Sequence, residues 1–323
     1  MKKAIFAALI ACFVSTAVAI DSSANAASVA RPDVVAGEPF AVHPIVNVKA
    51  IQATGTKIFL SNTNAVNIYN TNGKLLGQIT GFSAPQGLAT DAKANLYVAN
   101  TGASDVLIYS QPYNKTPTTL STSGWYPVDV AQFNNGEYVA VTNIFATSGA
   151  AGSVLLFKNY KLVATVQNSS FYYYYFCAFD GNGSLFVDGR SSSGSVVVGE
   201  IPGATKGKTT LKVLTTDNSI EFPGGVQVTT KNEIAIDDQE ASTIYTYKQP
   251  KNGSLGSPIA TTPLNGSGDE VTFAFTQNNQ DLWASDASSQ NGVAEFAYPK
   301  GGSPLKTLPL PAGGIALLPA EIP

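Results

Sequence analysis

Histidine and cysteine are almost absent from this 323-residue sequence, which contains one histidine, His43, and two cysteines, Cys12 and Cys177. A catalytic triad needs an imidazole beside its nucleophile, and protein zinc sites draw mainly on histidine and cysteine. The scarcity of both residues therefore argues against triad hydrolysis and against zinc chemistry. Cys177 lies in an apolar stretch with no basic neighbour, which predicts a small buried hydrophobic residue rather than a reactive thiol.

Charge is also scarce, since charged residues make up 13% of the chain and the net charge is -3. Without a basic cluster the protein offers no electrostatic footprint to a phosphate backbone, so we expect no nucleic-acid partner. Beyond residue 20 the sequence has no long stretch with helical spacing and no transmembrane segment of ~20 apolar residues. Glycine, serine, threonine and asparagine separate short apolar runs instead, which is typical of an all-β protein.

The N-terminus has the pattern of a secretory signal peptide. Two lysines precede an apolar region, and a small-residue cleavage motif ends at Ala19, with a second one ending at Ala26. We therefore expect residues 1–19 to be removed, residues 20–40 to form a linker, and the mature chain to be exported to the periplasm or the extracellular space. The sequence around Cys12 also fits a bacterial lipidation motif, so a lipid anchor at Cys12 is the alternative to a free exported form.

A short pattern recurs six times along the chain: an apolar strand ending in Asn or Asp, a polar loop, then Val or Ile followed three residues later by an aromatic. The closing residues are Asn62, Asn100, Asn143, Asp188, Asp237 and Asp286. In the fourth copy the pair is Val196 and Gly199, so glycine stands at the aromatic position. Successive copies lie 38 to 49 residues apart, the spacing of one four-stranded propeller blade. The repeat predicts an all-β, six-bladed β-propeller over residues 41–323, with four antiparallel strands in each blade.

The ring has seven candidates for its six inner strands. A propeller commonly closes when a C-terminal strand completes the first blade, because this removes two exposed sheet edges. We expect residues 315–318 to pair with residues 57–60 in this way. Residues 46–51 then either lie outside this position or compete for it.

The repeat resembles a known family. The succession Pro-x-Gly-apolar, Asp, a tight turn, LYVAN at 96–100 and VLIY at 106–109 is similar to the NHL-type repeat of six-bladed propellers. That superfamily also holds gluconolactonase-like lactonases and streptogramin lyases. The resemblance implies, for the lactonase-like members, a divalent cation held near the channel mouth by Glu, Asn and Asp. Streptogramin-lyase-like activity requires histidine, which this chain lacks in its repeats.

Oxygen ligands are therefore the candidates for a metal site. They are Asn143, Asp188, Asp237, Asp269 and Glu270, with Asp129 and Asp286 at similar places. Hard cations such as Ca²⁺ accept such ligands. One Asn or Asp per blade is also what an Asx-turn needs, since its side chain accepts hydrogen bonds from loop backbone. The structural interpretation is the stronger of the two, and we expect no cofactor unless Ca²⁺ or another divalent cation binds at these residues.

The most unusual local feature is the aromatic run 171–176, which leads into the inner strand of the fourth blade. Aromatics precede other inner strands at Phe82, Trp125, Tyr126 and Phe222. Such rings either pack between blades or form a stacking platform. Side chains alternate along a strand, so the run cannot face inward throughout. The candidate ligand-binding residues are Trp125, Tyr126, Tyr172, Tyr173, Tyr174 and Tyr175.

These features favour an exported, monomeric binding or interaction module that meets a protein, peptide or glycan through an aromatic-rich face. The alternative is a metal-dependent, lactonase-like hydrolase that uses carboxylates and carboxamides at the channel mouth. A structural envelope protein without a small ligand is the third possibility. Fold alone does not choose among them, because propellers host all three.

Overall fold

The computed structural model describes residues 55–268, 270–286, 292–310 and 313–318. The predicted signal peptide, the linker and the candidate strand 46–51 lie outside these residues. Within the described part of the chain, no helix is long and apolar enough to cross a membrane. The described strands form six separate sheets, as the six sequence repeats predict.

Each of the first three blades has four strands, which follow one another from the channel outward. Blade one consists of β25 (Ile315–Leu318), β1 (Lys57–Asn62), β2 (Ala65–Asn70) and β3 (Leu75–Thr80). Blade two consists of β4 (Pro85–Thr90), β5 (Leu96–Asn100), β6 (Asp105–Tyr109) and β7 (Thr118–Ser121). Blade three consists of β8 (Trp125–Phe133), β9 (Tyr138–Ala146), β10 (Ala151–Lys158) and β11 (Lys161–Val166).

The remaining blades follow the same order, with one addition. Blade four consists of β12 (Tyr173–Phe179), β13 (Leu185–Arg190), β14 (Val196–Ile201), β15 (Lys212–Thr216) and a fifth strand, β19 (Ser254–Gly256). Blade five consists of β16 (Pro223–Val228), β17 (Ile234–Asp238), β18 (Thr243–Tyr247) and β20 (Ala260–Pro263). Blade six consists of β21 (Glu270–Phe275), β22 (Asp281–Asp286), β23 (Val293–Ala297) and β24 (Lys306–Leu308). The strand β19 pairs in parallel with β15 and covers the outer edge of blade four.

Both faces of each sheet are apolar because each blade packs against two neighbours. The inner strand β25 shows this directly: Ile315 and Leu317 join the core between blades six and one, whereas Ala316 and Leu318 join the core between blades one and two. Side chains that alternate along a strand point to opposite faces, so a strand buried on both faces is apolar at nearly every position. This explains the continuous apolar runs in the repeats.

The C-terminal strand closes the ring as expected. β25 pairs antiparallel with β1 in the register Lys57 to Leu318 and Leu60 to Ile315. Its backbone also contacts both neighbouring blades, since the Ile315 N–H donates to Thr272 Oγ1 (3.0 Å) and Thr90 Oγ1 donates to the Leu317 carbonyl (2.6 Å). Strand β25 therefore joins the last blade to the first and to the second.

Inner strands approach each other very closely around the channel. A Cβ atom added at Gly87 of β4 would lie 2.6 Å from the Asp129 Cα of β8. A Cβ added at Gly314 would lie 2.0 Å from the Gln86 carbonyl oxygen. Real Cβ contacts are longer than this, so glycine is required at both places. The glycines that mark inner strands in the sequence thus permit a narrow channel.

Hydroxyl groups near the ends of second strands hold blades two, three and six to the inner strand of the next blade or to the residues just before it. Thr101 Oγ1, just after β5, donates to the Pro127 carbonyl of β8 (2.6 Å), and Thr142 Oγ1 of β9 donates to the Tyr175 carbonyl of β12 (2.6 Å). Ser285 of β22 makes the corresponding bond to Gly313. These bonds satisfy buried carbonyl groups at the boundary between the hydrogen-bond ladders of neighbouring sheets.

The structure shifts the repeat by one residue in blades four and five. In blade two, Ala99 pairs with Val106, and the closing residue Asn100 follows. In blade four Asp188 pairs with Val198, so its closing residue is Gly189 rather than Asp188. In blade five Asp237 pairs with Ile244, so the closing residue is Asp238. The predicted alignment of these two repeats was wrong because it matched residue types, and an acidic residue happens to precede each true position.

The same shift removes an irregularity in the fourth repeat. The apolar pair of its third strand is Val198 and Ile201, both buried, instead of Val196 and Gly199. The repeat therefore has a bulky residue at the expected place in blade four.

Replacing Leu317 by alanine should destabilise the fold through loss of ring closure. Leu317 is 7% exposed and packs with Trp283 and Ile58 between blades six and one. Truncation of such a buried leucine lowers the free energy of unfolding by about 2–5 kcal/mol. Urea unfolding followed by tryptophan fluorescence measures this change.

Leu305→Ala is the matched control, since Leu305 is 60% exposed in the same part of the chain. It should change the free energy of unfolding by less than about 0.5 kcal/mol. Equal effects of the two substitutions would show that β25 does not hold the ring together.

Candidate functional site

One face of the propeller collects the ends of strands from all six blades. Every inner strand begins there, every second strand ends there and every third strand begins there; we call this the upper face. The opposite, lower face carries the turns between inner and second strands and between third and outer strands. The predicted aromatic residues and the described metal-ligating candidates lie on or just below the upper face.

The aromatic run divides between the two sides of blade four. The rings of Phe171 and Tyr174 stack with their centroids 4.8 Å apart and belong to the core shared with blade three. The Tyr175 ring points the other way, and its centroid lies 6.2 Å from that of Phe222 in the next blade. Alternation along β12 produces this division, as the sequence predicts for a strand.

Tyr172 and Tyr173 are the two tyrosines of the run that remain partly exposed. Their rings meet edge to face with centroids 4.8 Å apart. The Tyr172 hydroxyl donates to the Gly149 carbonyl (2.8 Å) in the loop of blade three. The pair is therefore held in place while part of each ring faces solvent.

Tyr174 and Tyr175 are buried, unlike the first two tyrosines of the run. Tyr174 is completely buried, and its hydroxyl accepts a hydrogen bond from the Asn168 N–H (2.7 Å). Tyr175 is 6% exposed, and burial raises the pKa of its phenol. Both rings fill the junctions between blades. Strand β12 is covered by a neighbouring blade on each face, so the side chains that follow its first residue are enclosed on whichever side they point.

Trp125 and Tyr126 lie at the start of β8 and are half-buried. Trp125 packs against the core between blades two and three. The Tyr126 ring lies 5.1 Å from the ring of Phe145 at the end of β9. Both residues thus have partly open rings on the upper face of blade three, beside the blade that carries Tyr172 and Tyr173.

A groove of about 320 Å³ opens beside Tyr172 at the junction of blades three and four. Its polar lining comes from Gln167, Asn168, Ser169 and Ser192. Three rings, those of Phe171, Tyr172 and Tyr174, supply most of the remaining lining, and the lining has no charged side chain. Small-molecule sites in proteins begin at about this size.

Arg190 also lies on the upper face, although the sequence did not identify it as a candidate site residue. It ends β13 opposite Tyr173, its Nε donates to the Gly194 carbonyl (2.7 Å), and its guanidinium lies 4.9 Å from the centre of the Phe222 ring. A signal was available, because the chain has only two arginines and Arg190 is the one within the repeats.

The described metal candidates make hydrogen bonds or close contacts within the propeller. Asn143 Nδ2 donates to the Val141 carbonyl and to Ser153, and Asp188 Oδ1 accepts the Phe176 N–H (2.9 Å). Asp237 lies against Gly224, where an added Cβ would be 2.3 Å from Oδ2. Asp269 and the side chain of Glu270 lie outside the described residues. Elsewhere in the described chain, no three His, Cys, Asp or Glu side chains gather as a metal site would require.

Three of the closing residues act on the loop that leads into their own blade. Asn100 Oδ1 accepts the Ser83 N–H (2.7 Å), Asp238 accepts the N–H groups of Glu221 and Phe222 (3.0 and 3.2 Å), and Asp286 Oδ2 accepts the Gly268 N–H (3.2 Å). The sequence predicted capping of the loop that follows the residue. Asn62 and Asp238 show this as well, since their side chains accept the Thr63 and Ala241 N–H groups. Capping of loop backbone at one structural position, rather than metal binding, explains why Asn and Asp occur there.

Two acidic groups are buried between blades three and four: Asp129 is 9% exposed and Asp188 is completely enclosed. Asp129 Oδ2 accepts the Cys177 N–H (3.0 Å), while Oδ2 of Asp188 has no hydrogen-bond partner. Burial raises the pKa of Asp129 to about 7, and burial together with the nearby Asp129 raises the pKa of Asp188 well above its usual range. Burial also raises the pKa of the Cys177 thiol, which is 3% exposed. Cys177 is therefore a buried thiol, as the sequence predicts.

Asp129→Asn should flatten the pH dependence of stability. The pKa of Asp129 rises from 3.8 to about 7 on folding, so the folded protein binds this proton more tightly than the unfolded chain does. The associated stabilisation is fully present below pH ~4 and is lost as the pH rises through ~7. Denaturant unfolding of both proteins from pH 4 to pH 8 tests this.

The wild-type protein should lose a few kcal/mol across this range and Asp129→Asn should lose less, with a remaining slope from Asp188. Parallel profiles for the two proteins would show that Asp129 does not titrate in this way.

No family model and no curated protein matches this sequence. Solved structures do resemble it. A chain in the crystal structure of a nidogen/laminin complex has a TM-score of 0.64 at 14% identity, with 83% of this chain and 100% of that chain covered. A protein of unknown function from Bacteroides caccae has a TM-score of 0.60 at 10% identity, with 82% and 99% covered.

Streptogramin B lyase, a member of one of the groups that the repeat resembles, has a TM-score of 0.50 at 12% identity, with 81% of this chain and 73% of that chain covered. At such identities the likeness concerns the fold alone. The chain is a six-bladed β-propeller similar in architecture to streptogramin B lyase.

Proposed function

We propose that this protein is an exported binding module that meets its ligand on the upper face of blades three and four. The observation that carries the proposal is the pair Tyr172 and Tyr173, which are partly exposed and in edge-to-face contact, whereas the next two tyrosines are buried. Rings held by their neighbours offer contact area with little loss of side-chain entropy. Export follows from the signal-peptide pattern at the N-terminus.

Further aromatic surface lies in the adjoining blade. Trp125 and Tyr126 begin the inner strand of blade three with half-buried rings, and the groove beside Tyr172 adds amide and hydroxyl groups. Apolar area with a few polar groups is the usual composition of a binding site. Glycan and peptide ligands both suit such a surface.

The hydrolase alternative receives less support from the described residues. Asn143 Nδ2 and Asp188 Oδ1 make hydrogen bonds within the protein, while Asn143 Oδ1 and Asp188 Oδ2 have no hydrogen-bond partner. Burial raises the pKa of Asp188. A metal ligand must be deprotonated, so a raised carboxyl pKa opposes binding.

The tyrosine pair is tested with Tyr172→Ala and Tyr173→Ala. The purified protein is screened on glycan and peptide arrays, and hits are measured by isothermal titration calorimetry. Each substitution should weaken binding about tenfold or more, since truncation of an aromatic contact residue commonly removes more than ~1.4 kcal/mol of binding energy.

Tyr160→Ala is the matched control, because Tyr160 is 41% exposed but lies in a turn of the lower face. It should leave the affinity unchanged. The proposal is wrong if no ligand binds on either array, or if the upper-face and lower-face substitutions have the same effect.

A further inference from the structure

Arg190 is a half-buried cation without an acidic partner. Across the described residues no carboxylate lies within 4.0 Å of its guanidinium, and the ion pair that is present there joins Lys158 to Glu137. An arginine stays charged at any physiological pH, so partial removal from water is unfavourable unless the charge is compensated. The Phe222 ring and the Gly194 carbonyl give only partial compensation.

The free part of the guanidinium fits a planar anion. Arginine has five N–H donors, and the hydrogen bond to Gly194 uses only the one on Nε. The two terminal nitrogens carry the remaining donors, and this fork matches the two oxygens of a carboxylate. Gly194 lies so close that an added Cβ would be 2.9 Å from Nη2, so the loop 191–195 holds the arginine in position.

Arg190 adjoins the aromatic pair, on the side of blade four that faces blade five. It is the strand partner of Tyr173, and its charge lowers the pKa of the Tyr173 phenol against the larger upward effect of burial. The same loop continues to Ser192, which lines the groove beside Tyr172. A ligand that spans a few sugar rings therefore meets the arginine beside the two tyrosines, with the groove on the far side of Tyr172.

The groove favours a hydroxylated ligand over a peptide. Its polar side chains are amides and hydroxyls without charge, which suit the many donors and acceptors of a sugar, and ring faces stack on sugars. Peptides often bind by adding a strand to a free sheet edge. In blade four that outer edge is already paired with β19.

We infer that the upper face of blade four binds an acidic oligosaccharide, with a uronate carboxylate on Arg190 and sugar rings on Tyr172 and Tyr173. This inference rests on the proposed function and adds the class of ligand. The charge of Arg190 and the rings of the two tyrosines then both contribute to the affinity for the oligosaccharide.

The test uses oligomers of galacturonate, of mannuronate and guluronate, and of hyaluronan as calorimetric ligands, with methyl-esterified oligogalacturonate as an uncharged counterpart. At least one acidic oligomer should bind, and its affinity should fall about 10- to 100-fold in Arg190→Gln, the range expected for loss of a charged hydrogen-bond partner. If that oligomer is the galacturonate, its methyl ester should bind the wild-type protein weakly. The affinity for the methyl ester should then be the same in Arg190→Gln.

Arg190→Lys and Lys161→Gln complete the design. Lysine keeps the charge without the fork, so Arg190→Lys should recover only part of the affinity. Lys161 begins the outer strand of blade three at the lower face and is exposed, so its neutralisation should have no effect.

Three results would overturn the inference. Binding of a neutral glycan that requires Tyr173 but not Arg190 would leave the proposed function standing and remove the acidic ligand. Binding of acidic peptides through Arg190, without any uronate oligomer, would assign the site to another class. No binding to any glycan or peptide would remove the inference and the proposed function together.

Discussion

The pairing of β25 with β1 is the interaction on which the other features of this propeller depend. Four apolar residues of β25 fill the junctions with blades six and two, and backbone hydrogen bonds continue the sheet of blade one. Without this strand, blade one would expose a sheet edge, and blades six and two would expose apolar surface. The closure also sets where inner strands begin on the upper face, and so it determines which side chains from neighbouring blades meet there.

The architecture could be predicted from the sequence because its cause is repetitive. Six copies of one pattern, glycines at inner strands and a surplus apolar segment at residues 315–318 give the blade number and the closure. The alignment of blades four and five failed by one residue, because Asp188 and Asp237 resemble the closing residue of other blades but precede it. The added strand β19 had no signal, since it is short and pairs with the preceding blade rather than with its own.

The site was less predictable because it depends on contacts between blades. Alternation along β12 explains why the run of tyrosines divides, but the register that leaves Tyr172 and Tyr173 open while burying Tyr174 comes from packing. The guanidinium of Arg190 packs on the ring of Phe222, which lies 32 residues away in the next blade. Sequence reasoning that follows each repeat separately does not find such a pair.

Native-state hydrogen exchange tests the closure most directly. The hydrogen-bonded amides of residues 57–60 and 315–318 should exchange as slowly as those of residues 139–141 in the middle of blade three, because opening of the ring would then require global unfolding. Exchange of the first two groups that is orders of magnitude faster, with blade three still protected, would contradict closure by β25.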